Sequence, residues 1–276
     1  MKGGSLKLKN KSEKKPVWHY KDPKERTKSL LIWAIGFGIL IWGSSILNFH
    51  FARLFKAWFP LSNFFGRLLP PDLSYIPKNV IWPLIETIQM SVLGTILGIF
   101  LAIPVAWLAA YNISPLKPFS YILGRGITVV TRSIHVFIWS MILVALLGFG
   151  PLPGILALGI YSVGFLGKMW AEEIENIDHG QVEAIEATGA NRFQIIFYGV
   201  LPQIFPSFVG LSIYRWDINL RASSVLGMVG AGGLGYELNR TINLLAYKKT
   251  ASVLFVIIII VIITEFLSAY IRGKIS

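Results

Sequence analysis

The chain has 276 residues, of which 54% are hydrophobic and only 14% are charged. A soluble domain usually carries about 25% charged residues, so this chain has too few to cover a surface exposed to water. The composition therefore excludes an ordinary soluble enzyme and an intrinsically disordered protein. The lack of cysteine excludes disulfides, thiol catalysis and cysteine-ligated metals. The length suffices for about six membrane crossings of roughly 20 residues each, with connecting loops.

Positive charge is concentrated at the start of the chain. The net charge is +12, and ten basic residues but only three acids lie within residues 1–29. This polar stretch stops at an uncharged segment, residues 30–49, which is long enough to cross a bilayer as an uncleaved helix. Basic residues beside a first apolar helix indicate a cytoplasmic N-terminus and contact with anionic lipid headgroups. We interpret residues 1–29 as a basic cytoplasmic tail and expect no nucleic-acid binding.

The remaining apolar segments predict five further crossings. Aromatic and basic residues alternate in positions 50–78, which favours an interfacial segment on the outer face. The predicted crossings follow at residues 80–110, 134–147, 155–169, 203–226 and 251–270. Six crossings place both termini on one side, and both ends of the chain are basic, so both termini are expected in the cytoplasm. The predicted fold is an all-α polytopic membrane protein with three parts: the tail, residues 30–78, and a core over residues 79–276.

A polar stretch of about 30 residues, positions 171–202, interrupts the apolar segments. It holds six of the fourteen acids and is typical of a helix, a Gly-Ala turn and a second helix. Residues 181–188 are good helix formers, Gly189 stands where a left-handed C-terminal residue is needed, and Asn191 can cap a helix over residues 192–198. The simplest interpretation is a solvated hairpin between two membrane helices. Its length favours a cytoplasmic docking surface for a partner protein.

The sequence of this hairpin resembles the Glu-Ala-Ala loop in the membrane subunits of ATP-binding-cassette (ABC) importers. Five residues fall on the pattern of that loop with its spacing: Glu183, Ala184, Gly189, Leu201 and Pro202. Two positions depart from it, because Ile185 replaces the second alanine and Gly199 stands where isoleucine is usual. The resemblance implies that the loop binds an ATPase subunit through Glu183, Ala184, Glu186, Gly189, Ala190 and Pro202.

Other segments are similar to the permeases of phosphonate and phosphite importers. They are residues 70–72, 86–90, 187–191, 198–203, 213–227 and 230–235. The resemblance covers most of residues 80–271 and implies the permease fold of a type I ABC importer. It implies a protein that moves phosphonate, or a related oxyanion such as phosphite or phosphate, into the cell by alternating access. The chain is then no enzyme and binds no cofactor, because a separate subunit binds and hydrolyses ATP.

The resemblance also implies the partners and the location. Two copies of this subunit form the pore, two cytoplasmic ATPase subunits each grip one loop, and an extracytoplasmic binding protein delivers the substrate. The protein is expected to cross the cell membrane of a prokaryote several times, in contact with lipid.

Three charged residues lie within the predicted fifth crossing: Arg215, Asp217 and Arg221. A charge at the bilayer centre costs roughly 2.5–3.5 kcal/mol, so these side chains should face the bundle interior or a cavity. Asp217 and Arg221 stand one helical turn apart and can pair, which leaves Arg215 without a local partner. We hypothesise that all three residues lie on the translocation path and that Arg215 stabilises an anion there. The alternative is a clamp between helices, with Glu86 or Glu265 as the partner.

A glycine-rich run follows the fifth crossing. Gly230, Gly232, Gly233 and Gly235 match the dinucleotide-binding pattern G-x-G-x-x-G, but a membrane helix precedes them where that site needs a strand. We expect these glycines to form a sharp turn, or part of a gate, at the outer mouth. The four histidines are isolated in sequence, which predicts no metal site.

Three other functions stay open at this stage. A permease for an amino acid such as methionine shares the glycine run. A membrane-embedded enzyme acting on lipid would need His, Asp or Glu clustered at the membrane face, and the six loop acids have no such companions. A passive channel would not need the coupling loop.

Overall fold

The computed structural model describes residues 23–46 and 51–275, so most of the predicted basic tail lies outside the described residues. Within the described ranges every regular element is helical. The chain divides into two compact units, Met1–Asn63 and Phe64–Ser276. The predicted division at residues 29 and 78 stays a prediction.

Two helices begin the described chain. Helix α1 (Pro23–Ile46) has no charged residue after Lys28, and its side chains from residue 26 onward are largely exposed. Helix α2 (Phe51–Leu68) has an apolar and a polar face and contains Pro60. It occupies most of the segment that was predicted to be interfacial.

The rest of the second unit is a helical bundle. A π-helical turn, Ile76–Val80, leads into α3 (Ile81–Ala109), which is followed by α4 (Phe119–Ser133), α5 (Val136–Leu147), α6 (Pro151–Glu175) and α7 (His179–Glu186). The short α8 (Arg192–Gln194) continues through a π-helical turn, Ile195–Val200, into α9 (Leu201–Leu226) and a 3-10 turn, Gly227–Val229. Helices α10 (Gly233–Asn243) and α11 (Tyr247–Ile275) complete the bundle.

Five stretches of the described chain are long and apolar enough to cross a membrane: Arg26–Ile46, Ile76–Ala109, Pro151–Glu175, Ile195–Val229 and Tyr247–Ile275. Helices α4 and α5 together make a sixth candidate, which is bent by 85° at its break. The prediction of about six transmembrane helices is therefore confirmed.

The predicted third crossing is wrong in form. Helix α5 has only 12 residues, fewer than the roughly 20 that a bilayer requires. The break occurs because Ile134 and His135 are extended and end α4. The Nδ1 atom of His135 then accepts a hydrogen bond from the Phe137 amide (3.3 Å) and begins α5 in a new direction.

The predicted helix over residues 192–198 is present, but it is not separate from the fifth crossing. Arg192 to Val229 form one continuous helical run. Pro202 does not interrupt it, and it stands at the junction where the π-helical turn Ile195–Val200 continues into α9.

Small residues bring α3 and α6 into close contact, because Gly94 and Gly98 form a small-xxx-small pair that lets another helix approach closely. A Cβ atom placed on Gly94 would lie 2.7 Å from the Cβ of Leu158, and one on Gly98 would overlap Ser162. Helix α9 packs against both helices and completes the centre of the bundle. The apolar core of the bundle includes Met90, Leu158, Leu166 and Trp170.

The connections define two ends of the bundle. The hairpin of α7 and α8 joins α6 to the run that contains α9, so it lies where α3 and α11 end. The glycine-rich turn after α9 lies at the opposite end, where α3, α6 and α11 begin.

Candidate functional site

The predicted coupling hairpin folds with the local signals that its sequence carries. Asp178 caps α7 by accepting a hydrogen bond from the Gly180 amide at Oδ1 (2.9 Å). Gly189 has a φ of +81°, which confirms the left-handed residue expected after α7. The Asn191 side chain accepts from the Gln194 amide (3.0 Å), and the Gln194 side chain accepts from the Asn191 amide (2.8 Å). This reciprocal capping confirms the predicted cap.

The outer surface of the hairpin carries the residues that match the importer motif. The side chains of Glu183, Ala184 and Glu186 are exposed on α7, as is Pro202 on α9. Gly189 is exposed at the turn, and Ala190 is half-buried. Three aromatic residues after the turn are also exposed, namely Phe193 (83%), Phe197 and Tyr198, and Phe193 lines an apolar pocket with Ile103 and Trp107 of α3. The aromatic part was not predicted, although three aromatic residues on a polar loop are a usable signal of a contact surface.

The inner surface of the hairpin is fixed to the membrane helices. Val182 packs against an apolar cluster that includes Ile174 of α6 and Ile204 of α9. Gln203 ties the two arms together, because its Oε1 accepts from the Asp178 amide (2.9 Å) and its Nε2 donates to the Gly199 carbonyl (2.6 Å). The hairpin is therefore attached to both α6 and α9.

A further anchor beneath the hairpin was missed from the sequence. Arg125 lies in α4 and donates from Nη2 to Glu175 of α6 (2.8 Å). Its Nε donates to the Ala109 carbonyl at the end of α3 (3.0 Å), and Glu175 also accepts from the Tyr111 amide (2.8 Å). One ion pair thus joins the middle of α4 to the ends of α3 and α6. Nothing in the sequence around Arg125 indicates that its partner is Glu175, which lies 50 positions away.

Arg215 lies in the centre of the bundle, within a group that we call the polar cluster: Thr95, Ser162, Arg215 and Asn219. The guanidinium Nε donates to the Ser162 hydroxyl (2.9 Å), and Asn219 donates to the Thr95 (2.9 Å) and Ser162 (3.0 Å) hydroxyls. The Arg215 guanidinium carbon is 4.7 Å from the ring centre of Tyr161 and 5.4 Å from that of Phe165. Arg215 is only 2% exposed, and no carboxylate pairs with it in the described chain.

Two buried polar atoms of the polar cluster lack a hydrogen-bond partner, which indicates a site that a ligand would complete. Nη2 of Arg215 and Oδ1 of Asn219 are buried without a hydrogen-bond partner among the described residues. A buried cation held only by a hydroxyl and two aromatic rings is costly, because nothing neutralises its charge. An oxyanion would supply both the charge and the acceptor that Nη2 lacks.

Asp217 and Arg221 form the predicted ion pair, and Arg221 also pairs with Glu265 of α11 (2.8 Å). The clamp between α9 and α11 therefore involves Arg221 and not Arg215. Glu86, the other clamp candidate, accepts a hydrogen bond from the Gly233 amide (3.0 Å). The structure thus places Arg215 in the bundle centre and the other two charged residues on the α9–α11 side.

The glycine-rich run forms the sharp turn that was expected. Gly230, Gly232 and Gly233 have φ values of +99°, +80° and +67°, which side chains rarely adopt. Glu86 and Thr87 of α3 hold the turn by accepting from the Gly233 (3.0 Å) and Leu234 (2.8 Å) amides.

Two further features surround this turn. Gly235 packs directly against the backbone of Ser224 and Gly227. A cavity of about 490 Å³ opens between the turn, Glu86 and the start of α6. The gate function stays a prediction.

The fold and the hairpin correspond to a known family. Residues 94–276 match the family described as the inner membrane component of binding-protein-dependent transport systems. The chain belongs to this family. It is accordingly a multi-pass protein of the prokaryotic inner membrane, and it works with a binding protein outside that membrane.

Individual relatives agree with this assignment. The phosphite transport system permease protein PtxC of Stutzerimonas stutzeri is 42% identical over 207 residues, which are 75% of this chain and 74% of that protein. The phosphate-import permease protein PhnE of Mycolicibacterium smegmatis is 38% identical over 242 residues, 86% of this chain but 45% of that protein. An inward-facing structure of the MetNI methionine ABC transporter covers 72% of this chain and 99% of its own, with a TM-score of 0.60 and 23% identity. At that identity the last similarity shows the fold alone.

Proposed function

We propose that this chain is the permease subunit of an ABC importer that carries a phosphorus oxyanion, namely phosphite, phosphonate or phosphate, into the cell. The observation that carries the proposal is a buried guanidinium without a carboxylate, Arg215, in a chain that is 42% identical to a phosphite permease. The planar fork of an arginine matches the oxygen geometry of such anions. Methionine is the weaker alternative, because the D-methionine permease protein of Haemophilus influenzae is only 26% identical over 159 residues, against 42% over 207 residues for the phosphite permease.

Arg215 meets the requirements for a transient anion contact. Its side chain is held by Ser162, Tyr161 and Phe165, so little conformational entropy is lost when an anion binds. A single cation also binds weakly enough to release the anion, which transport requires. Arg221 pairs with both Asp217 and Glu265 on the α9–α11 side, so this group is expected to line the path without offering the substrate a free cation.

The hairpin performs the coupling to ATP hydrolysis in this proposal. Its exposed surface, Glu183, Ala184, Glu186, Gly189 and Phe193, contacts an ATPase subunit. Two copies of the chain form the pore, and each hairpin receives one ATPase. Closure of the ATPase pair moves the hairpins, and the helices fixed to them rock between inward-open and outward-open states. This arrangement requires the hairpin and both termini to face the cytoplasm and the glycine turn to face outward.

The test is ATP-driven uptake by proteoliposomes that contain this chain, its ATPase and its binding protein. Radiolabelled phosphite, methylphosphonate and phosphate are supplied in turn, with methionine as a comparison. We expect uptake of at least one phosphorus oxyanion and none of methionine. Uptake of methionine alone would contradict the substrate assignment.

The role of Arg215 is tested with the variant Arg215→Gln in the same assay. We expect uptake to fall at least tenfold at equal protein abundance, because a single charge-assisted contact contributes roughly 1.5–3 kcal/mol. The matched control is Arg132→Gln, which removes an exposed arginine of α4 and should leave uptake unchanged. Normal uptake by Arg215→Gln would remove the anion role of this residue.

A further inference from the structure

A second group of positive charges lies at the end of the bundle opposite the hairpin. Where α3 and α11 begin, a pocket of about 460 Å³ is lined by Arg67, Asp72, Ala246, Tyr247, Lys248 and Lys249. We call it the cationic pocket. It contains three cations and one carboxylate, and Arg215 does not line it.

The walls of the cationic pocket are fixed by hydrogen bonds. The Asp72 amide donates to the Lys248 carbonyl (3.2 Å), and the Ser252 hydroxyl donates to the Asp72 carbonyl (2.7 Å). These bonds join the loop before α3 to the first turns of α11. Hydrogen bonds therefore hold the two segments that form the pocket in a fixed arrangement.

The one carboxylate in the pocket, that of Asp72, already accepts two hydrogen bonds from its own loop. Oδ1 of Asp72 accepts from the Ser74 hydroxyl (2.6 Å) and the Ser74 amide (3.2 Å) in its own loop. Among the described residues, no ion pair includes Arg67, Lys248 or Lys249. Three cations thus share one pocket with a single acid that does not pair with any of them.

Aromatic rings hold two of these cations at the pocket. The Arg67 guanidinium carbon is 5.9 Å from the ring centre of Tyr247, and Nζ of Lys249 is 5.1 Å from that of Tyr75. Lys248 and Lys249 stand in the first turn of α11, where the helix dipole is positive and further positive charge is unfavourable. An anion in the pocket would relieve both the mutual repulsion of the cations and this dipole interaction.

We propose that the cationic pocket binds a phosphate group, and that the group is the headgroup of an anionic phospholipid. Arginine and lysine are the side chains that recognise phosphate oxygens. The pocket lies where two membrane-spanning stretches begin, which is the depth of lipid headgroups. Leucines adjoin it in the chain and are exposed, as an acyl chain would require: Leu69, Leu73, Leu244 and Leu245. The proposal does not depend on the transported solute.

Free phosphate offers the same oxygens as a headgroup, so the experiment separates the two sources. The full chain is purified in a zwitterionic detergent, and its unfolding temperature is measured with added phosphatidylglycerol, phosphatidylcholine or inorganic phosphate. We expect phosphatidylglycerol to raise Tm by about 3 °C more than phosphatidylcholine does, and inorganic phosphate to have no such effect. The double variant Lys248→Gln/Lys249→Gln should lose this increment.

The control variant is Lys78→Gln, which removes an exposed lysine near the same end of the bundle that does not line the pocket. The increment caused by lipid is compared between variants, so a change in the baseline Tm does not affect the result. An equal increment in the double variant and in Lys78→Gln would overturn the proposal. An increment with inorganic phosphate that the double variant loses would support an oxyanion site but overturn its assignment to lipid.

Discussion

Ile185 of α7 points at Gly199 of the second arm of the hairpin. A Cβ atom placed on Gly199 would lie 3.4 Å from Cδ1 of Ile185, which is an ordinary van der Waals distance. These are the two positions at which the chain departs from the importer motif. The departures compensate each other, because the larger residue at position 185 fills the space that a side chain at position 199 would occupy.

This compensation predicts how substitutions at positions 199 and 185 change the stability of the protein. Gly199→Ile should crowd Ile185 and lower the free energy of unfolding by roughly 1–3 kcal/mol. Adding Ile185→Ala should recover most of that loss, giving a favourable coupling energy in a double-mutant cycle measured by chemical denaturation. Additive effects of the two changes would show that the residues do not interact.

The contact between α3 and α6 should not tolerate larger residues. Gly94→Ala places a methyl group 2.7 Å from the Cβ of Leu158, so we expect a loss of roughly 1–3 kcal/mol in stability. Gly126→Ala in α4 is the matched control, since nothing lies within 4 Å of the added atom there. That control should be neutral or stabilising by about 1 kcal/mol, because alanine favours helix. Equal stability of the two variants in a denaturation experiment would refute the close approach.

The ion pair between Asp217 and Arg221 should lose more stability when one partner is removed than when both are removed. Arg221→Gln leaves the buried Asp217 carboxylate without its cation. The expected loss is below the roughly 3–5 kcal/mol of a fully enclosed pair, because the Arg221 side chain is 42% exposed. The double variant Arg221→Gln/Asp217→Asn should recover part of that loss. A double variant that is less stable than the single one would contradict this account.

The stability of the protein should also fall at high pH, because Tyr75 loses its phenol proton. Burial, together with a hydrogen bond to Glu237, raises the pKa of Tyr75 to about 12. The ordinary value is near 10, so the folded state retains the phenol proton more strongly than the unfolded state does. This contribution is complete below pH 10 and is lost as the pH rises through about 12.

The variant Tyr75→Phe tests this dependence. It should be less stable at pH 8, because the hydrogen bond to a carboxylate is missing, and its loss of stability between pH 10 and 12 should be smaller. Unfolding temperatures measured between pH 8 and 12 give the comparison. Parallel pH profiles for the variant and the original chain would rule out Tyr75 as the source.

The exposed acid of the hairpin should matter for transport and not for folding. Glu183→Lys reverses a charge on a surface that faces solvent in the isolated chain, so the unfolding temperature should change little. ATP-driven uptake should fall to background if an ATPase binds there. Glu173→Lys, which changes another acid of the same region on α6, is the comparison. Normal uptake by Glu183→Lys would contradict the coupling role.

Local signals in the sequence sufficed for much of this fold. The left-handed Gly189, the Asn191 cap and the pairing of Asp217 with Arg221 each depend on residues within four positions of one another. The close approach at Gly94 and Gly98 needed only the small-residue spacing. The break at His135 was not predicted, because a run of apolar residues conceals a change of helix direction.

Contacts between distant residues could not be predicted in this way. Arg125 and Glu175 are 50 positions apart, and Arg215 and Ser162 are 53 apart. No periodicity or spacing specifies such partners, which are decided when the helices pack. The aromatic surface at Phe193 was present in the sequence but was overlooked beside the acidic residues.

The run from Ile195 to Val229 has one mechanical consequence. It is 35 residues long, or about 50 Å at 1.5 Å per residue, and it begins at the hairpin and ends at the glycine turn. Arg215 sits between those ends on the same rod. A tilt imposed at one extremity must therefore displace the guanidinium and the far extremity in the same stroke. In the proposed mechanism, this one helical run therefore links the ATPase contact, Arg215 and the glycine turn without a relay of separate parts.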